Sequence, residues 1–273
     1  MKRDLPVFSI EGTDFLVDVY RLELRQKDNP ANRILFENMR DVDDGYTINY
    51  STTAKNLPPL SEQNWITVKL PDWVVLDPLG MAKKYGLTQE ELKGKTDFDL
   101  MVDQQAFDKR VNQGMLPTVE IAGHIFYVDV RMDMLRPKDD FTSNGIAFSE
   151  IDTYHLEVSD EYLIPYNPKT HEFQDLNFET ITEYPNDLLA IKFPCEWILD
   201  PIGWNRREGL NLHHDIKHKG IRSHFHAEVI PWEKTFLRDI IIENRQKHIR
   251  ETYNNGIRPG PGIEQNGKKG RKR

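Results

Sequence analysis

The chain has 273 residues, 38% hydrophobic and 29% charged, with 13 Phe, 10 Tyr and 5 Trp. This excludes wholesale disorder and leaves room for two domains of about 100–150 residues each. A single cysteine, Cys195, excludes an internal disulfide framework and a cysteine zinc cluster, and no apolar run approaches the roughly 18 residues of a membrane span. The formal charge of −8 is unevenly spread: residues 255–273 hold six Lys/Arg against one Glu, which leaves −13 on residues 1–254.

Asp4, Glu11 and Asp14 interrupt the apolar region that a signal peptide opening at Lys2-Arg3 would need, so a reducing cytoplasm is the expected setting. Residues 7–19, VFSIEGTDFLVDV, alternate around a Gly-containing turn and predict a β-hairpin. YTINY (46–50) and WITVKL (65–70) predict short strands, the second ended by Pro71. In LDPLGMAKKYGLT, Asp77 suits an N-cap, Pro78 the first helical position and Gly86 the left-handed stop. Lys83 and Lys84 fall in the last turn, where cations oppose the helix dipole. Thr88 with Glu91 predicts a capping box, FDLMV (98–102) a strand, and residues 104–113 a helix with Phe107 and Val111 on one face.

From residue 116 much of this pattern recurs. LPTVEIAGHIFYVDVRMDMLRPKD (116–139) matches LPVFSIEGTDFLVDVYRLELRQKD (5–28) at an offset of 111. The offset widens to 116 at YLIPY (162–166) and to 123 at IKFPCEWILDPIG (191–203), as loop insertions in a repeated unit would produce. FHAEVI (225–230) predicts a strand, and residues 233–253 a helix striped by Phe236, Ile240 and Ile241. The expected fold is α+β: two tandem duplicated domains, 1–114 and 115–253, each of mainly antiparallel strands with a short helix and a C-terminal helix. A flexible basic tail, 254–273, follows.

His213, His214, His218, His224 and His226 crowd into 14 residues. His214 and His218 share a helical face at i,i+4 and His224-x-His226 a strand face, spacings at which imidazoles hold zinc or a similar metal. Against that, Asp97-Phe98-Asp99 occupies the place of His224-Phe225-His226 in the first copy, and inward phenylalanines would turn the flanking residues to solvent. The strand aspartates Asp18 and Asp129, followed by acid and base residues, are faintly nuclease-like, but the spacing is not kept between copies. An ion pair or turn joining Arg25 to Asp28, and Arg136 to Asp139, accounts for those charges. Cys195 faces Asp72 in the repeat, so it is no shared nucleophile, and neither a P-loop nor a dinucleotide fingerprint is present. The five tryptophans, Trp65, Trp73, Trp197, Trp204 and Trp232, are expected mainly in cores.

LPTVEIAGHIFYVDVRMDMLRPKDDF, IPYNPKTHEF and LDPIGWNRREG together resemble a group of Bacteroidota proteins associated with mobile or accessory genes. The resemblance covers nearly everything before the tail. It implies a bacterial cytoplasmic setting and supplies no activity, cofactor or catalytic residue.

The first expectation is therefore a non-enzymatic adaptor or accessory protein that binds a protein partner or a second copy of itself. Its tail cations Lys268, Lys269, Arg271, Lys272 and Arg273 are candidates for touching nucleic acid. Two alternatives stay open. One is a metal-dependent hydrolase or nuclease using carboxylates or histidines in a site between the repeats; separately, His214, His218, His224 and His226 are the candidate ligands for zinc or a similar metal. The other is an acidic decoy that imitates DNA.

Overall fold

A computed structural model describes residues 3–254 of the chain, and the tail cations lie outside them. In the first half, β1 (Val7–Ile10), β2 (Thr13–Asp18), β3 (Glu23–Gln26) and β4 (Arg33–Leu35) form one antiparallel sheet in chain order. A second antiparallel sheet follows from β5 (Arg40–Val42), β6 (Gly45–Tyr50) and β7 (Ile66–Leu70). Five helices close this half: α1 (Trp73–Leu76), α2 (Pro78–Tyr85), α3 (Gln89–Leu92), α4 (Asp97–Met101) and α5 (Gln104–Val111).

The second half begins with β8 (Thr118–Ile121), β9 (His124–Asp129), β10 (Met134–Pro137) and β11 (Ile146–Ala147), again antiparallel in chain order. After α6 (Phe148–Ile151) come β12 (His155–Leu156), β13 (Glu161–Asn167), β14 (Glu172–Phe173) and β15 (Leu189–Pro194). Then follow α7 (Glu196–Leu199), α8 (Pro201–Arg207), α9 (Ile216–Lys219), β16 (His224–His226), β17 (Glu228–Ile230) and α10 (Leu237–Asn254). The molecule is mixed α+β with several antiparallel sheets, and no helix among the described residues is long and apolar enough to cross a membrane.

The halves agree in local chemistry as well as order. Both opening hairpins turn through two residues with positive φ, Glu11 (45°) and Gly12 (75°) in one, Ala122 (49°) and Gly123 (88°) in the other. That is the backbone a tight hairpin with right-handed strand twist requires. Val17 pairs with Leu24 as Val128 does with Leu135, and Tyr46 with Leu70 as Tyr162 does with Phe193. Asp77 and Asp200 each accept a hydrogen bond from a glycine N–H, Gly80 or Gly203, at 2.9 Å, and each precedes a helix-opening proline. Each buried cap carboxylate also holds an arginine, Arg3 on Asp77 and Arg110 on Asp200. The cap was legible in the sequence; its arginine was not.

Each half has its own core, around Phe15, Tyr46 and Trp73 in the first and around Phe126, Tyr162 and Phe193 in the second. Val102 and Ala106 meet Ile202, Ile216 and Ile221 in a third cluster that joins the halves. Lys217 reinforces the junction. Its ammonium is buried on the first half, 2.8 Å from Asp41 and 3.3 Å from Asp72, with the carbonyls of Val42 and Gly45 at 3.1 and 3.0 Å.

Three expectations need correction. Residues 98–102 are not a strand: Thr96 and Asp99 form a capping box, and Asp97 is buried as an acceptor for Tyr46 Oη and for the N–H groups of Trp73 and Val74. Three donors converging inside the core fix that segment as the start of a helix. Arg25 and Arg136 are braced by Asp18 (3.9 Å) and Asp129 (3.7 Å) across the sheet, with Glu23 also 3.6 Å from Arg25, and not by Asp28 and Asp139. Asp18 and Asp129 also accept turn N–H groups, from Tyr20 and Met132. Finally, Trp65 departs from the expected core placement, being exposed, whereas Trp73 is fully enclosed in the first core and the half-buried Trp197 and Trp204 pack against the second; Trp232 is half-buried.

Candidate anion-binding site

The cap arginine of the second half opens onto a groove. Arg110, near the end of α5, donates from Nε and Nη2 to Asp200 at 2.9 and 2.8 Å, so the carboxylate takes both prongs of the guanidinium fork. Gly203 makes this approach possible. A Cβ there would collide with the Asp200 carboxylate and lie 3.1 Å from Arg110 Nη2. Beside this pair lies a cavity of about 560 Å³ whose lining contains five arginines: Arg110, Arg131, Arg136, Arg206 and Arg207. Asp129 is the one carboxylate in that lining.

The five arginines differ in how free they are. Arg110 is committed to Asp200, and Arg136 leans on Asp129 and covers the Tyr127 ring at 5.3 Å. Arg207 lies over Trp204 at 4.3 Å and reaches Glu208, Glu196 and Asp133 at 3.2–3.7 Å. Among the described residues, Arg131 and Arg206 have no carboxylate within ion-pair range, and both are exposed. The groove continues past Arg110 and Leu116 into a second cavity of about 200 Å³, which Lys109, Lys138 and Arg222 line. It is a concentrated positive field on a body of net charge −13.

The first half repeats part of the constellation. Arg3 on Asp77, Arg25 on Asp18, and Lys83-Lys84 on α2 stand where the second half has Arg110, Arg136 and Arg206-Arg207. There the cations are more occupied: Lys84 donates to the carbonyl of Val19 at 2.8 Å, and its partial burial lowers its pKa. Position 131 is also a tyrosine in the first half, Tyr20.

Comparison with protein families, with curated proteins and with solved structures finds no match.

The histidines divide into separate environments. His218 is half-buried at the junction of the halves, stacked on Phe36 at 4.0 Å, and desolvation lowers its pKa. It is a packing residue, and its Nε2 is enclosed without a hydrogen-bond partner. His214 precedes α9 rather than sharing a helical face with His218, and its Nε2 lies 3.5 Å from Asp215. His214 and Asp215 line a different cavity, about 530 Å³, against Arg40, Asn49 and Thr67 of the first half. His213 packs on the rings of Phe98 and Phe107 at 4.7 and 5.4 Å.

His224 and His226 do share the outer face of β16, with Phe225 turned inward. That strand pairs in parallel with β8, which sets His224 beside Thr118 and His226 beside Glu120. Cys195 is buried, and desolvation pushes its thiol pKa well up, which leaves it inert as a nucleophile.

Proposed function

We propose that this chain is a non-enzymatic interaction protein that grips a phosphodiester backbone in the arginine-lined groove of its second half. We also propose that its two halves arose by tandem duplication, with the second copy having taken on the binding role. The observation that carries the proposal is the gathering of five arginines around one cavity of about 560 Å³ in an otherwise acidic body. Arginine forks match phosphate oxygens in pairs, which a field of lysines does not. Arg110, Arg136 and Arg207 are held in place by carboxylates or aromatic rings, so they are pre-positioned, while Arg131 and Arg206 are free to meet an incoming anion. The acidic remainder repels a polyanion and confines contact to the groove and to the tail cations. The proposed setting is the bacterial cytoplasm.

The duplication is supported by matched order, matched registers and the paired Asp–Arg caps of the two halves. The groove residues are recruited into binding rather than catalysis: Asp129, the carboxylate in the larger cavity, already caps a turn and braces Arg136.

Fluorescence anisotropy of a labelled single-stranded oligonucleotide tests the proposal. Nonspecific binding with Kd of about 10⁻⁴–10⁻⁶ M near physiological salt is expected, weakened by Arg131→Ala with Arg206→Ala. Equal binding by that double variant would remove the groove from the account.

A further inference from the structure

Beyond the groove, on the solvent face of the same sheet, the parallel pairing of β8 with β16 assembles three ligating groups from distant parts of the chain. Glu120 Oε2 lies 3.5 Å from His226 Nδ1 and 4.0 Å from His224 Nε2. All three ligand atoms fall within 4.8 Å of one another, which no other group of His, Cys, Asp or Glu side chains achieves among the described residues. We infer that Glu120, His224 and His226 form a binding site for a divalent transition-metal ion of the zinc class.

A hydrogen-bond chain behind His224 carries the argument beyond proximity. Thr118 Oγ1 donates its single proton to the Ser223 carbonyl at 3.3 Å. It also lies 2.7 Å from His224 Nδ1, where it is placed to accept from an Nδ1–H when Nε2 binds a metal. The opposite nitrogen, Nε2, is the one turned toward Glu120, at 4.0 Å. This is the outer support usual for metal-ligating histidine, whose non-ligating nitrogen is fixed by a hydrogen bond. The rings of His224 and His226 stand at 89° with centroids 4.5 Å apart, so both can converge on one point without stacking.

In a tetrahedral site with ligand bonds of about 2.0–2.1 Å, neighbouring ligand atoms are separated by about 3.3–3.4 Å. The Glu120–His226 contact at 3.5 Å is already near that spacing; the Glu120–His224 contact at 4.0 Å must close by about 0.6–0.7 Å, and no ligand pair starts more than 4.8 Å apart, adjustments that rotation of exposed side chains supplies. Two imidazoles and one carboxylate favour zinc, nickel, copper or cobalt over magnesium or calcium, which prefer all-oxygen shells. Solvent exposure leaves the remaining position to water. Bound there, the ion would cross-link residues 118–120 to 224–226. Thr118 also lines the smaller groove cavity, so the site borders the groove without depending on it.

Zn²⁺ alone, titrated into the full chain after chelator treatment and without nucleic acid, tests the inference. One equivalent is expected to bind, with loss in Glu120→Gln and in His226→Gln and roughly 10-fold weakening in Thr118→Val. His214→Gln should leave the isotherm unchanged. Co²⁺ should give the visible absorption of a tetrahedral site, absent in Glu120→Gln. Circular dichroism should show these surface variants still folded. The inference is overturned by no saturable binding, or by binding that survives both Glu120→Gln and His226→Gln, which would leave the cluster as an ion pair only. Neither result bears on oligonucleotide binding, which Arg131 and Arg206 test separately.

Discussion

Lys217 offers the sharpest structural perturbation. Lys217→Met keeps most of the volume of the side chain and deletes its ammonium from between the halves. Asp41 and Asp72 lose their cation at 2.8 and 3.3 Å, two backbone carbonyls lose a donor, and the Tyr46 ring loses the charge 4.3 Å from its centre. Lys217 is itself only 5% exposed at the side chain, so water cannot replace it without opening the junction. Breaking a buried pair by removing one member costs about 3–5 kcal/mol, a large share of the roughly 5–15 kcal/mol that holds a domain. The loss should depend on pH. Burial already raises the Asp41 pKa and the lysine opposes that rise, so without Lys217 it climbs further above the unfolded value. A carboxyl shifted upward stabilises the fold below its unfolded pKa and loses that contribution as pH rises through the folded one. The variant should therefore be closer to wild type at pH 5 than at pH 7.5. Urea unfolding followed by tryptophan fluorescence at both values measures this. A deficit below about 1 kcal/mol at pH 7.5, or one that does not change with pH, would refute the reasoning.

Other outcomes follow from the same contacts. Burial raises the Asp97 carboxyl to about 6, so wild-type stability should fall by up to about 3 kcal/mol as pH rises from 4 to 7; unfolding curves of Asp97→Asn should lack that slope. Asp200→Ala should cost more than Asp77→Ala in thermal unfolding, because the side chain abandoned by Asp200 is 11% exposed and that abandoned by Asp77 is 34% exposed. Ala122 holds φ at 49°, a region that costs an L residue about 1–2 kcal/mol. Ala122→Asn should thus raise stability by roughly 0.5–1 kcal/mol, measured by urea midpoint.

Local features of the fold were legible where physics acts over a few residues. Alternation around Gly12 and Gly123 located both hairpins, and Asp-Pro at 77–78 and 200–201 located two helix starts with the cap acceptors in place. The misreadings came from contacts that linear spacing hides. FDLMV alternates like a strand, yet Thr96-x-x-Asp99 is a capping signal and Asp97 is claimed by Tyr46, 51 positions away. Asp18 and Asp129 reach Arg25 and Arg136 diagonally across a hairpin, and Arg25 also pairs with Glu23 on its own strand, in neither case the acid three residues further along the chain. The closing helix buries Leu237 and Ile241, while Phe236 stays 40% exposed.

The groove was harder still, because its arginines come from α5, the turn after β9, β10 and α8. Aligning the two halves does line up Arg25 with Arg136 and Lys83-Lys84 with Arg206-Arg207, a hint of shared cationic positions. It does not reveal that they face one cavity. Similarly, His224-x-His226 was visible as a strand-face pair, whereas Glu120 enters only through the register of a parallel pairing across 106 positions.

The most direct test is the salt dependence of oligonucleotide binding by a full-length variant with Lys268, Lys269, Arg271, Lys272 and Arg273 all changed to glutamine. If Lys109, Arg131, Lys138, Arg206 and Arg222 each meet a phosphate, log K should fall against log salt with a slope of about −3.5 on a single strand. Adding Arg131→Ala and Arg206→Ala should reduce it to about −2. A slope near zero once the tail is neutralised, or one unmoved by the two groove substitutions, would contradict the assignment.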